Sequence, residues 1–167
     1  SEISDIVIDT DNLRRGETIM QLAHDMGAKK FIHYSFPRHM SIELLAQRRD
    51  IFKQKADELG IEFLEVAAPD PVGEGGIPAS QQFILEDVPR QIAEHGKDTA
   101  IFSTNCAMQE PLIKKALDEG AIFPEQCCPS PYHGYPGALG IEIPEDKIGD
   151  IDFIMSEIKG KVSEKGN

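Results

Sequence analysis

Apolar residues recur along the chain with two different periods, and the alternation between those periods is the first structural signal. Short apolar runs stand at Asp5–Asp9 (around Ile6, Val7 and Ile8), Lys30–Tyr34, Ile61–Val66 and Thr99–Phe102. Runs of that length bounded by turn residues read as buried strands. Between them lie stretches of helical spacing. One spans Leu13–Met26, with Ile19, Leu22, Ala23 and Met26 on one face and Gly27 as its stop. A second starts from Ser41 as N-cap and runs to Leu59, with Leu45, Phe52, Ala56 and Leu59 inward and Gly60 as its stop. A third covers Gln81–Glu94 with Phe83, Ile84, Val88 and Ile92 inward, and Pro89 is expected to kink or divide it. A fourth starts near Glu110, because Pro111 is welcome only in a first turn, and ends at Gly120. Strand alternates with helix at least four times. This predicts an α/β fold, a three-layer parallel sheet with helices on both faces joined by right-handed crossovers.

The remaining segments are less regular. Ser35–His39 reads as a loop, since Pro37 biases Phe36 away from helix. Ala67–Ser80 is a long loop rich in Pro and Gly, a class that is often functional. Ala121–Phe123 is strand-like, and a second short run ends at Cys127-Cys128. Pro129–Gly137 is read as irregular, Ile141 and Ile143 as a short strand, and Pro144–Asp150 as an acidic turn. Ile151–Val162 is a weakly amphipathic helix, and the tail from Ser163 is expected to fray.

Length and charge narrow the function. The 167 residues suit one domain with a real core, and no run approaches the roughly 18 apolar residues of a membrane span. Net charge is −12, and basic residues occur only as scattered pairs such as Lys29-Lys30 and Arg48-Arg49. Neutralising phosphates needs clustered cations, so nucleic acid is not an expected partner. The three cysteines, Cys106, Cys127 and Cys128, make no disulfide framework. They are read as free thiols packed as small apolar side chains. Cys106, Cys127, Cys128 and His133 contain metal-ligand chemistry, but the pair of cysteines a few residues apart that marks zinc sites is absent, so no metal is expected.

Catalysis is not expected either. Neither a Gly-x-Ser-x-Gly elbow nor a phosphate-cradling loop occurs, and no cofactor is implied. Cys106 at a helix start is a candidate nucleophile only if a His and an acid come beside it. Binding is better supported. Polar residues stand directly after several strands: Ser35, Arg38 and His39; Asp70; Ser103, Thr104 and Asn105; Ser130, Tyr132 and His133. In a parallel sheet these turns converge at one edge, where open α/β folds place small ligands.

Two sets of motifs carry a resemblance. Asp11-Asn-Leu-Arg-Arg-Gly16, Gly27-Ala-Lys-Lys-Phe-Ile, Arg48 and Ser103-Thr-Asn105 resemble the start and ligand turns of the second lobe of type 1 periplasmic binding proteins and lactose-repressor-like effector domains. In that resemblance Arg48 and Asn105 fall at ligand-contacting positions, and Cys106 replaces the usual acid. More narrowly, His33-Tyr-Ser-Phe-Pro-Arg-His-Met40, Gln81-Gln-Phe-Ile-Leu-Glu-Asp-Val-Pro89 and Cys127-Cys-Pro-Ser-Pro-Tyr-His133 resemble a bacterial family of unknown function, many of whose members look like exported lipoproteins of this fold.

The resemblance implies one lobe over residues 1–138, with 139–167 returning toward a missing first lobe of the same protein. It implies an envelope location and a solute of unknown identity held by Ser35, Arg38, His39, Arg48, Ser103, Asn105, Tyr132 and His133. Closure would turn on hinges at Thr10 and Pro129, and an envelope transporter or sensor would be the partner. A metabolite-sensing effector domain and a Cys-dependent enzyme are the alternatives.

Overall fold

A strand buried on both faces forms the middle of the molecule. The computed structural model describes residues 10–165, so the strand expected at Asp5–Asp9 lies outside the described residues. β1 (Lys30–Ser35) is flanked by β2 (Glu62–Ala67) and β3 (Thr99–Ser103), all parallel, in the order β2-β1-β3. Helices α1 (Asn12–Asp25) and α3 (Glu43–Leu59) cover one face, and α4 (Gly76–His95) and α5 (Gln109–Glu119) cover the other. The fold is therefore α/β with a parallel three-strand sheet between two helical layers.

Alternation along β1 divides its side chains between the layers. Ile32 and Tyr34 join Ile84, Val88, Ile101, Met108 and Leu112 in one core. Phe31 joins Ile19, Phe52, Ala56 and Phe102 in the other. In the second core Phe31 and Phe52 lie 5.2 Å apart, Phe52 and Phe102 5.3 Å, in the tilted and edge-on arrangements that aromatic quadrupoles favour. His33 occupies an aromatic-like position among these rings, 5.8 Å from Phe52 and 6.1 Å from Phe102. In the first core Tyr34 donates to Asp87 at 3.0 Å, which satisfies its buried hydroxyl.

Several elements differ from the sequence reading. Ser35–His39 is not all loop: Pro37 opens a short helix, α2 (Pro37–Met40), and Pro is pre-organised for a first turn. Ser41 ends α2 rather than capping α3, whose N-cap is Ile42. α4 begins five residues before Gln81 and runs through Pro89 undivided, held by buried Ile84, Val88 and Ile92. The strand at Ala121–Phe123 shrinks to one parallel bridge, Ala100 with Ile122. Tyr135 opens a further short helix, α6 (Tyr135–Leu139), inside the segment read as irregular. Ile141 and Ile143 form no strand; a one-turn 3-10 segment at Glu145–Lys147 and α7 (Ile151–Glu164) follow.

The inward face of α1 is also rotated. Leu22 and Met26 are exposed, while Arg15, Gly16 and Met20 are buried. Gly16 explains part of this, because a Cβ there would sit 2.8 Å from Ile51 Cγ2 of α3. The two helices approach where there is no side chain to separate them.

Burial pushes the His33 imidazole down to about 3, with the Arg48, Arg49 and Lys53 charges acting in the same direction. The unfolded chain takes up a proton below about pH 6.5 that the folded chain refuses, so the stability from this residue is complete above pH 6.5 and is lost as pH falls toward 3. Unfolding free energy from urea melts is expected to drop by about 1.2 kcal/mol between roughly pH 6 and 5 from His33 alone. In His33→Gln the slope is expected to be shallower than in the wild type by about that amount, the remainder coming from His39, whose pKa burial also lowers, and from the carboxylates.

Candidate functional site

The carboxyl edge of the sheet carries a connected set of neutral polar groups. The register pairs Tyr34 with Ser103, so the residues that follow, Ser35 and Thr104, face each other. Their hydroxyl oxygens are 2.8 Å apart. His39, which α2 turns back over β1, places Nδ1 3.0 Å from Thr104 Oγ1. Its Nε2 lies 3.2 Å from Asn105 Nδ2, and Asn105 Oδ1 accepts the Ala107 backbone N–H at 2.9 Å. Asn105 thereby caps the 3-10 turn Cys106–Met108 that leads into α5. Burial, followed by the Arg38 charge, lowers the His39 pKa, and this favours neutral imidazole in the network.

Beside this network Arg38 and Asp70 join the β1 and β2 loops. Arg38 Nε and Nη2 donate to the two Asp70 oxygens at 2.7 and 2.9 Å, a bidentate pair. The Arg38 hydrogen bonds, with that of the Val72 amide, hold the Asp70 carboxyl down to about 2. A hollow of about 170 Å³ lies along β1 and β2, lined by His33, Ser35, Phe36, Met40, Glu65 and Val66 among others; of the network only Ser35 reaches it. A larger hollow of about 340 Å³ lies elsewhere, between α5, α6 and Val162 of α7, and is mostly apolar.

The other residues read as ligand contacts are placed differently. Arg48 is 2% exposed; its Nη1 donates to Asn12 at 2.6 Å and its guanidinium lies 5.2 Å from the Phe102 ring centre. It braces α3 against the start of α1 below the edge, and burial lowers its pKa to about 10. Ser103 is buried on the α4–α5 side, its hydroxyl without a hydrogen-bond partner among the described residues. The Tyr132 hydroxyl donates to the Asp150 carbonyl at 3.2 Å, toward the C-terminal segment. His133 Nε2 lies 3.4 Å from Cys127 Sγ, and Cys106, Cys127, Cys128 and His133 gather beside Asn105 although Cys106 and Cys127 are 21 positions apart.

Arg15 was not among the sequence candidates. It donates to Glu125 at 2.8 Å and to the Gln126 and Cys127 carbonyls at 2.6 and 2.9 Å. It therefore ties the start of α1, just after Thr10, to the segment just before Pro129. Only the Asp-Asn-Leu-Arg-Arg run marked that helix start in sequence.

A model of the family described as "Protein of unknown function (DUF3798)" matches residues 1–167. The chain belongs to the DUF3798 family. An uncharacterized protein of Treponema pallidum (strain Nichols) is 33% identical to this DUF3798 chain over 158 residues, covering 95% of it and 70% of that protein. A crystal structure of a putative transcriptional regulator from Clostridium difficile 630 superposes with a TM-score of 0.90 at 30% identity, over 99% of this chain. The chain spans 46% of that protein's length. A periplasmic binding ribose operon repressor protein from Lactobacillus acidophilus superposes with a TM-score of 0.51 at 14% identity, over 96% of this chain and 59% of that one. The second likeness is one of fold. Together they give this chain the fold seen in that regulator and in a periplasmic-binding-type repressor.

Removing the Arg38 cation takes away a charge that opposes His39 protonation and leaves Asp70 to favour it. In Arg38→Ala the His39 pKa, followed by its ring-proton NMR shifts, is expected to rise toward the ordinary value near 6.5. An unmoved His39 titration would show that the two side chains are not electrostatically linked.

Proposed function

We propose that this chain is the solute-binding lobe of a two-lobed, non-catalytic protein. The observation that carries the reading is the Ser35–Thr104–His39–Asn105 network at the carboxyl edge of a parallel sheet. That edge is where ligands of open α/β folds bind. Its groups are hydroxyl, amide and neutral imidazole, and the neighbouring Arg38 cation is already paired with Asp70. A polar, uncharged, hydroxyl-bearing solute matches that chemistry, because it can exchange its own donors and acceptors for those of the network. The chain's net charge of −12 disfavours an anionic ligand.

In this reading the second half of the cleft comes from another lobe of the same protein, and closure turns about Thr10 and Pro129. The envelope lipoprotein setting suggested by sequence resemblance belongs to the same proposal, with a transporter or sensor as partner. A second reading, a metabolite-sensing effector domain, draws support from the name of the C. difficile structure. Metabolic labelling with a fatty acid and fractionation separate the two: an acylated membrane-bound protein fits the lipoprotein, whereas specific retention on promoter DNA fits the regulator.

Native mass spectrometry of the two-lobed protein, followed by a thermal-shift screen of polar metabolites, is expected to identify a bound solute. Asn105→Ala and Thr104→Val are each expected to weaken it about tenfold, the value of one hydrogen bond of roughly 1.4 kcal/mol. Unchanged affinity in both variants would remove this edge as the site.

A further inference from the structure

The sulfur cluster beside the sheet edge has the dimensions of a coordination sphere. Cys106 Sγ and Cys128 Sγ are 3.7 Å apart, Cys127 and Cys106 3.8 Å, and Cys127 and Cys128 3.9 Å. Three thiolates about 2.3 Å from a tetrahedral zinc ion stand roughly 3.75 Å from one another. A ligating imidazole nitrogen about 2.05 Å from the same ion stands roughly 3.5 Å from each sulfur. His133 Nε2 is 3.4 Å from Cys127 Sγ, and no two of the four ligand atoms are more than 4.8 Å apart. We propose that Cys106, Cys127, Cys128 and His133 bind one zinc ion as a closed Cys3His site.

Three further observations fit this assignment. The three cysteines are free rather than bonded in a pair. The loop is held for the purpose by ordinary hydrogen bonds: Gln109 Oε1 accepts the Cys127 N–H at 3.0 Å, Gln126 Nε2 donates to the Ser130 carbonyl at 2.6 Å, and the His133 N–H returns to Ser130 at 3.0 Å. Gly134, at φ +80°, then lets the chain pass α5, where a Cβ would come within 3.0 Å of Gln109. Charge is matched as well. Zinc with three thiolates and a neutral imidazole carries one net negative charge. A buried cation adjoins it: Arg15, which holds the Cys127 carbonyl. The site is independent of the solute reading, since its ligands are not the edge network.

The test uses zinc alone. The protein is purified reduced and metal-free, loaded with Zn²⁺, desalted and analysed for metal per chain; Co²⁺ serves as the spectroscopic substitute. One zinc per chain is expected, with a cobalt spectrum showing tetrahedral visible bands and a thiolate charge-transfer band. Cys106 and Cys128 are exposed, so Cys106→Ser and Cys128→Ser leave the fold intact, as far-UV dichroism should confirm. Each is expected to weaken zinc more than about 100-fold, beyond the 10–100-fold effect of disturbing only an outer-shell partner. Zinc that washes out of the wild type, a cobalt spectrum without the thiolate band, equal affinity in the serine variants, or a Cys106–Cys128 disulfide in protein isolated without reductant would each overturn the proposal.

Discussion

The Arg15 guanidinium is the constraint on which the functional end of the molecule depends. A buried cation is costly unless its donors are used, and Arg15 uses them on Glu125, Gln126 and Cys127. Two of those acceptors are backbone carbonyls in a segment that has almost no regular structure to satisfy them. The requirement is therefore mutual: the arginine needs oxygens, and the carbonyls need donors. Meeting it fixes residues 125–127 against the start of α1, although 110 positions separate Arg15 from Glu125. Cys127 is thereby placed beside the turn that follows β3. This tie, with Gln109 accepting the Cys127 N–H, gives the strand-end residues of β3 and the loop bearing Cys127, Cys128 and His133 a common frame.

The sheet supplies the other half of the frame. Because β1 is paired on both sides, Ser35 and Thr104 leave adjacent strands at the same height, and their hydroxyls meet without any special device. α2 then brings His39 over them. The aromatic core below is what makes this edge stiff: Phe31, Phe52 and Phe102 pack across β1 and β3, and Arg48 lies over Phe102 while reaching Asn12. Arg48 thus braces the helices that flank the edge.

Much of this was legible in the sequence, and the failures have physical causes. Long periodic segments were read correctly because burial on a sheet face imposes their pattern, as in Ile84, Val88 and Ile92 of α4. The short helices α2 and α6 escaped because four or five residues carry no period; their only signal was Pro37 and Pro136 in a first turn, which also reads as loop. The face of α1 was misjudged because a helix is oriented by what it packs on. Gly16 and Arg15 decided that orientation, through close approach and through distant carbonyls, and neither adds to an apolar stripe. The strand-end residues were chosen by position alone, but position does not tell a side chain that joins the edge network from one that turns away from it. Ser103 and Thr104 are neighbours with opposite outcomes.

The cysteines show the same limit most sharply. Local spacing is informative about a metal site when one hairpin or one loop supplies two ligands; here Cys106 comes from the turn after β3, and Cys127, Cys128 and His133 come from a loop beyond α5. The sheet and Arg15 perform the convergence that a short spacing performs elsewhere. Cys106 also follows Asn105 directly, and Asn105 holds both His39 and the first turn before α5. A solute bonded to Asn105 and an ion bonded to Cys106 would therefore pull on one stretch of backbone. With both sites filled, ordering that turn for one of them would remove entropy that the other must otherwise overcome, so adjacent residues would couple the two.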